Sequence, residues 1–370
     1  MRKQCRAYSR LRFFPLVVTL DFQRGISYLH PVDPLTHALA SYTLKHAAFP
    51  QLRGATTVGM VLAGTLADLD LLFSQSSPSA YVTWHRTIFH SVAAAIVLSI
   101  AVTLALIQIS RGKAEQKVIP VSRILSAAIA AALLHLLLDF GQSLGTELLW
   151  PFTARRFSLD WLPKPDIYIF ALLLFAILVP KLAGLVTEEI GAKSKGPRGR
   201  VGAIVGFVAI LLYVVARAAL HSTAVSALDA RTYHVEAPDR IAAFPEDASP
   251  FSWLGVVETE RSLNEVTIFL GPGSTFDPDS ARVSFKPEPS AALDASLRTN
   301  SAKRFLAAVR FPKAAIEKTA EGYRVELHAF PYGSVAASSR VMAVIDTDSA
   351  GIVLSDSLEW DPAAQQHWWL

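Results

Sequence analysis

Seven histidine and aspartate side chains in the first 140 residues have the types and spacing of a metal site. They are His37, Asp68, Asp70, His85, His90, His135 and Asp139. His135 and Asp139 are four residues apart, so on a helix they project from one face and can bind the same ion. Imidazole and carboxylate ligands suit zinc or another divalent cation, and the set is large enough for one or two ions. Water activated by the metal would be the nucleophile, and a spare carboxylate would serve as the base.

The other spacings are less regular. Asp68 and Asp70 would point to nearly opposite sides of a regular helix, which predicts that one is a ligand and the other a bridging, second-shell or helix-ending group. His85 and His90 are five residues apart, about 140° round a continuous helix, so we place His85 in the preceding loop, turned back toward His90. A purely structural role is the alternative to metal binding for some of these residues. His37 would then be a hydrogen-bonded residue at the start of a helix, and Asp68 and Asp70 would end a helix and face water. Arg86 is interpreted as a side chain that snorkels to the lipid headgroups rather than as a phosphate contact.

The elements that must carry these residues are apolar. The 370-residue chain is 52% hydrophobic and 18% charged, with a mean hydropathy of +0.35. These values exclude an ordinary soluble protein and a disordered chain, and a single cysteine excludes a disulfide scaffold. Apolar stretches near the length that spans a bilayer cover residues 35–49, 55–73, 88–109, 124–140, 167–186 and 201–220. The first is a thin span, a re-entrant helix or a soluble helix, so the sequence predicts an α-helical membrane bundle of about five to six spans.

The loop charges orient this bundle, although the net charge of +4 says little by itself. Cations lie between the third and fourth stretches, namely Arg111, Lys113, Lys117 and Arg123. They also lie around the connection of the fifth and sixth, namely Lys181, Lys193, Lys195, Arg198 and Arg200. The positive-inside rule makes these loops cytoplasmic, so six alternating spans place both termini outside, in the periplasm of a bacterial cell. All seven candidate residues then fall near the outer face. A scatter of unrelated polar residues would rarely select one side.

The composition changes after Ser222. Alternating runs at residues 265–270, 323–329 and 341–345, separated by Gly, Pro, Asp and Ser clusters, are typical of strands and turns. Residues 302–309 predict one short helix. We therefore divide the chain into a non-native or disordered extension (1–31), a transmembrane helical domain (32–222) and a small soluble, periplasmic α+β domain rich in antiparallel strands (223–370).

Five motifs surround the candidate residues. In chain order they are DPLTHAL from Asp33, GTLADLDLL from Gly64, HRTIFHS from His85, HLLLDFGQSLGTELLWPF from His135 and RRFSLDWLPKPD from Arg155. Together they resemble the LexA-regulated, YdjM-like family of bacterial inner-membrane metal-dependent hydrolases. The resemblance implies a membrane-bound hydrolase in residues 32–222, distantly similar to zinc-dependent phospholipase C and P1-type nucleases. It implies ligand or active-site roles for the seven residues, with Asp166 as a candidate addition.

The position at which the first motif begins also indicates whether residues 1–31 belong to the native protein. Members of the family it resembles often begin at MDPLTHAL, whereas this chain reads VDPLTHAL from Val32. A GTG start codon would be written as valine inside a longer reading frame. We therefore predict that the native protein starts at position 32, which N-terminal sequencing would test.

The resulting functional hypothesis is a hydrolase that uses metal-activated water on a lipid-like or phosphoester substrate at the outer membrane face. All seven residues are predicted metal ligands, and zinc is the expected ion. Asp70 and His85 are also assigned to catalysis. The bilayer is the expected partner, and nucleic acid is excluded because anionic lipid explains the loop cations. Two alternatives remain: a metal or proton transporter, and a non-catalytic scaffold whose periplasmic domain binds a partner.

Overall fold

The computed structural model places a helical region before two β-sheets, and it describes residues 32–110, 119–189, 199–247, 249–272, 276–330 and 340–362. The helices are Val32–Ala48 (α1), Ala55–Ala63 (α2), Asp70–Ser74 (α3), Pro78–Trp84 (α4), Val92–Ser110 (α5), Val121–Gly141 (α6), Ile167–Glu189 (α7) and Arg200–Asp229 (α8). Short 3-10 helices cover Leu66–Leu69 and Ile88–His90. The extension of residues 1–31 and most of the loop cations lie outside the described residues.

Four of the described helices, α5 to α8, are long and apolar enough to cross a membrane. A fifth crossing requires α2 and the segment Leu66–Ser74 to act as one span, although the chain bends by 64° between them. Helix α1 has 17 residues, fewer than the approximately 20 of a straight span. The helical membrane region is therefore confirmed, whereas the count of five to six spans is not.

Small residues let the helices approach closely around α6. The helix buries Ala127, Ala128, Ala131 and Ala132, and α1, α2 and α5 all pack against it. Gly64 follows α2, and a Cβ there would collide with the Ser41 hydroxyl of α1. Small residues allow such close backbone approach in membranes. The result is a tight junction of α1, α2 and α6.

The C-terminal part contains two antiparallel four-stranded sheets, each with its strands in chain order. The first contains Arg240–Pro245 (β1), Ser252–Glu258 (β2), Ser262–Phe269 (β3) and Arg282–Phe285 (β4). The second contains Pro312–Lys318 (β5), Gly322–Ala329 (β6), Val341–Asp348 (β7) and Val353–Trp360 (β8). Helices Ala291–Leu297 (α9) and Asn300–Ala308 (α10) lie between them in sequence. The strand-rich prediction is confirmed, and α10 matches the predicted helix, whereas α9 was not predicted.

Three apolar clusters of described residues support these sheets, and two of them include helix residues. Trp253 and Ile268 of the first sheet pack with Leu228 near the end of α8, which joins this sheet directly to the membrane region. Phe305 of α10 packs against Val325 and Ile345 of the second sheet. Each sheet thus packs one face against a helix, an arrangement that is common for antiparallel sheets.

His328 links the second sheet to the chain that follows β8, and this contact predicts a pH dependence. The His328 Nδ1 atom lies 2.9 Å from Asp361, and Nε2 lies 3.2 Å from Glu326. The hydrogen bond with Asp361 raises the pKa of His328. A raised pKa in the folded state gives stability that is complete below the unfolded pKa of about 6.5 and is lost as pH rises through the folded pKa. We expect the free energy of unfolding of the C-terminal part to fall across that interval.

Denaturant titrations of the full chain in detergent, repeated at several pH values, measure this dependence. His328→Gln should remove the part of the pH slope between the unfolded and folded pKa values. An identical slope in the variant would contradict the assignment of the effect to His328.

Candidate metal centre

The seven predicted residues lie together at one end of the helical bundle. His37 lies in α1, Asp68 in the 3-10 helix Leu66–Leu69, Asp70 at the start of α3, His85 after α4, His90 at the end of Ile88–His90, and His135 and Asp139 near the end of α6. Six of them are buried, each with no more than 5% of its surface exposed, and Asp68 is partly exposed. The structure therefore brings the whole predicted set into one cluster, while its role as a ligand set remains a prediction.

The Asp139 carboxylate lies at the centre of this cluster. Its Oδ1 atom is 3.4 Å from His37 Nε2, and its Oδ2 atom is 3.1 Å from His90 Nε2 and 3.3 Å from His135 Nε2. The His37 and His135 rings stack with centroids 3.8 Å apart. One group with ligand atoms within 4.8 Å of one another contains His90, His135 and Asp139. The spacing of His135 and Asp139 therefore produces the shared face that the sequence predicts.

Asp68 and Asp70 both approach histidines of the cluster, so the opposite orientation expected for a regular helix is wrong. The division into one ligand and one outer or helix-ending group stays a prediction, and only Asp68 belongs to a group of described residues whose ligand atoms lie within 4.8 Å of one another. Asp68 Oδ1 lies 3.8 Å from His135 Nε2, and Asp70 Oδ2 lies 3.3 Å from His90 Nδ1. A 3-10 helix has three residues per turn, and the chain changes to α-helix at Asp70, so the regular-helix spacing does not apply. His85 adopts an extended conformation after α4, as predicted, with Nδ1 3.7 Å from Asp70 Oδ2.

Arg86 enters the cluster, so its interpretation as a snorkelling side chain is wrong. The residue is 1% exposed. Its Nη2 donates to Asp139 Oδ1 at 2.8 Å and to Gln142 Oε1 at 2.6 Å. The guanidinium thus partly neutralises the central carboxylate instead of reaching the lipid headgroups.

Asp33 is a further cluster residue that was not assigned from the sequence. Its Oδ1 lies 3.8 Å from His37 Nε2, and its Oδ2 lies 3.3 Å from both Arg86 Nη2 and Lys164 Nζ. A second group with ligand atoms within 4.8 Å contains Asp33, His37 and Asp139. The signal was present, since Asp33 and His37 have the same four-residue spacing as His135 and Asp139.

The backbone fixes which nitrogen His135 presents to the cluster. Its Nδ1 lies 2.9 Å from the Gly64 carbonyl oxygen, and a carbonyl oxygen can only accept a hydrogen bond. Nδ1 therefore carries the proton, and in the neutral ring Nε2 presents a lone pair toward Asp68 and Asp139. This is the arrangement by which an outer contact orients a metal-binding histidine.

The residues fit a bound divalent cation. Among the described residues, buried cluster atoms without a hydrogen-bond partner include His37 Nε2, Asp68 Oδ2, Asp70 Oδ1, His135 Nε2 and Asp139 Oδ2. Leaving such a group unsatisfied costs about 1–3 kcal/mol. With neutral histidines, the four aspartates exceed Arg86 and Lys164 by two negative charges. A divalent cation would satisfy the lone pairs and balance this excess.

Asp166, which the resemblance adds to the candidate site residues, makes contacts of a structural kind among the described residues. Its Oδ1 accepts hydrogen bonds from the backbone N–H groups of Tyr168 and Ile169 at 3.0 and 2.9 Å. Its Oδ2 accepts one from the Tyr213 hydroxyl at 3.0 Å. Asp166 therefore caps the start of α7 and ties it to α8.

The C-terminal part packs onto the end of the bundle that holds the cluster. The Tyr81 ring of α4 lies 4.8 Å from the His85 ring and 5.9 Å from the Trp360 ring at the end of β8. Arg310 Nη1 contacts both carboxylate oxygens of Asp160, at 2.7 and 2.8 Å. The second sheet is thus connected to the segment next to the cluster.

The ion pair between Arg310 and Asp160 should stabilise this packing. Arg310→Ala would leave the Asp160 carboxylate, which is 8% exposed, without its guanidinium. We expect the variant to lose about 1.5–3 kcal/mol, the range for hydrogen bonds to charged groups. Denaturant unfolding of the full chain in detergent measures this loss.

Arg324→Ala is the matched control, because Arg324 also pairs with a carboxylate, that of Asp346, but on an exposed sheet surface. Such pairs contribute about 0–1 kcal/mol. Equal losses in the two variants would contradict a special role for the contact with Asp160.

Comparison with known proteins identifies the helical region. The family model described as YdjM inner membrane protein matches residues 32–224. No curated protein and no solved structure matches the chain. The matched range contains every residue of the cluster and ends within α8, before the sheets.

Proposed function

Because the chain belongs to the YdjM inner membrane protein family, we propose that its helical region is a metal-dependent hydrolase. In this proposal zinc is the cofactor, as one or two ions, and the substrate is lipid-like or a phosphoester. The cluster faces the periplasm, and the C-terminal part is a periplasmic domain.

One observation carries the proposal: three imidazole nitrogens converge on one buried carboxylate. His37 Nε2, His90 Nε2 and His135 Nε2 each lie within 3.4 Å of Asp139. A structural role would satisfy these groups with hydrogen bonds, yet His37 Nε2 and His135 Nε2 have no such partner in the described part of the chain. Nitrogen and oxygen donors of this kind are those that zinc prefers.

Each residue has a role in this proposal. His90, His135 and Asp139 would hold the ion, which when bound would polarise the scissile bond and lower the pKa of water. The Gly64 carbonyl and the Asp70 carboxylate orient His135 and His90 through their Nδ1 atoms. His85 accepts the proton from water at a ring nitrogen, and Asp70, 3.7 Å from His85 Nδ1, stabilises the resulting imidazolium.

The test is metal analysis and hydrolysis by the full chain purified in detergent. We expect zinc to copurify, chelation to abolish hydrolysis within a panel of phosphoesters, phospholipids and carboxylic esters, and added zinc to restore it. Zinc flux into liposomes without hydrolysis would favour the transporter. A metal-free protein without hydrolysis would favour the scaffold.

The orientation needs a separate test. In a Cys5→Ser background, which removes the native thiol, a membrane-impermeant maleimide applied to intact cells should label a cysteine introduced at Ser290 in the C-terminal part. The same reagent should not label a cysteine introduced at Ser122, at the opposite end of α6. The reverse pattern would contradict the periplasmic placement.

A further inference from the structure

We propose that Arg86, assisted by Lys164, binds a phosphoryl oxygen of the substrate, which makes the substrate a phosphoester. The assignment rests on the proposed function, because it names the substrate class of the same site. It concerns a phosphoryl group, whether that group belongs to a lipid headgroup or to a water-soluble ester.

The guanidinium of Arg86 is held by one of its two terminal nitrogens only. Nη2 contacts Asp139, Asp33 and Gln142 at 2.8, 3.3 and 2.6 Å. Nη1 is buried and has no hydrogen-bond partner among the described residues. Guanidinium has its donors in a fixed planar fork, and Nη1 carries two N–H groups. The contacts of Nη2 therefore fix the fork and leave the Nη1 donors for one phosphoryl oxygen.

Arg86 has a strained backbone conformation, which a hydrogen bond within the cluster anchors. Its φ angle is 56°, in the left-handed region that non-glycine residues rarely adopt. The Arg86 N–H donates to Asp70 Oδ2 at 2.7 Å, which anchors this conformation. Strained residues of this kind are concentrated at functional sites, where the surroundings compensate for their cost.

Lys164 places a second cation beside the first. Lys164 Nζ and Arg86 Nη2 are each 3.3 Å from the same oxygen, Asp33 Oδ2. The Lys164 side chain is 21% exposed whereas that of Arg86 is 2% exposed, so the pair extends from the buried cluster toward the surface. A phosphoester carries negative oxygens that match two neighbouring cations, whereas a carboxylic ester is neutral.

Inorganic phosphate is the probe for this site, and calorimetry on the zinc-loaded full chain measures its Kd. We expect Arg86→Lys, which keeps the charge but loses the fork, to raise the Kd for phosphate about 10- to 100-fold. Lys164→Gln should raise it about 3- to 10-fold, as expected for a partly exposed charge. Zinc content should remain unchanged in Lys164→Gln, which does not touch Asp139. Arg123→Lys, at the exposed start of α6, is the matched control and should bind phosphate as wild type does.

A substrate panel separates this inference from the proposed function. We expect the wild type to cleave a soluble phosphodiester or phosphatidylglycerol vesicles but no carboxylic ester, and the preferred phosphoester identifies the source of the phosphoryl group. Cleavage of carboxylic esters alone would overturn the inference and leave the hydrolase intact. An unchanged Kd for phosphate in both Arg86→Lys and Lys164→Gln would also overturn the inference. If Arg86→Lys loses zinc, the Kd of Lys164→Gln alone decides whether the inference holds. A wild type without zinc and without hydrolysis would overturn both proposals.

Discussion

The Asp139→Asn protein is expected to fold, to insert into the membrane and to retain no zinc. The substitution keeps the size of the side chain but removes the charge that three imidazoles approach within 3.4 Å. It also places an amide N–H₂ group where a carboxylate oxygen faces either Arg86 or His135. Zinc content should fall from about one or two ions per chain to none, and hydrolysis should fall at least about 100-fold, beyond the effect of removing an outer contact.

The measurements are zinc content by mass spectrometry and turnover of the preferred substrate, both on detergent-purified protein. Asp229→Asn is the matched control, because Asp229 is an exposed residue at the end of α8 and should have neither effect. His135→Ala should reproduce the loss of zinc. Full zinc content in either cluster variant would mean that the ion is bound elsewhere or that the cluster is a hydrogen-bonded structural network.

The core of this cluster could be predicted because its signals are local. The spacing of His135 and Asp139 requires only a helix, and the collection of residues at one end requires only alternating spans. The same local spacing relates Asp33 and His37, so Asp33 could have been added from the sequence. The placement at one end uses six alternating spans, a count that is not confirmed, whereas the spacing of His135 and Asp139 does not depend on the number of spans.

Arg86 could not be placed in the same way, because its position depends on contacts with distant residues. In sequence it is an arginine at a membrane surface, where snorkelling is the general expectation. Its burial depends on Asp139 and Gln142 from the end of α6 and on the left-handed backbone after His85. The orientation of Asp68 and Asp70 likewise depends on a local 3-10 helix that periodicity does not reveal.

The division of the C-terminal strands into two sheets is a third feature that local pattern left open. Alternation predicts strands at residues 265–270 and 323–329, but it does not say which strands pair. The first sheet ends at β4 because α9 and α10 interrupt the chain of hairpins before β5. Whether a helix joins two sheets or covers one is decided by the packing of residues such as Phe305, which sequence alone does not give.

Asp70→Asn should separate metal binding from turnover. Asp70 lies behind His90, at 3.3 Å from Nδ1, and beside His85, at 3.7 Å from Nδ1. Neither Asp70 nor His85 belongs to the groups of described residues whose ligand atoms lie within 4.8 Å of one another. At saturating zinc we therefore expect the variant to retain the ion with about 10- to 100-fold weaker affinity. Its kcat should fall by about 10²- to 10⁴-fold, the contribution of general acid–base catalysis.

His85→Gln provides the complementary measurement, because it removes the proposed proton acceptor without changing the contact between Asp70 and His90. Its kcat should fall by a similar factor while its zinc affinity stays near that of wild type. His46→Gln is the control, because His46 is a histidine in the last turn of α1. It should match wild type in kcat and in zinc affinity. If Asp70→Asn and His85→Gln instead lost zinc as completely as Asp139→Asn, both residues would be ligands. The base would then have to be Asp68, the partly exposed carboxylate whose Oδ2 accepts no hydrogen bond in the described residues.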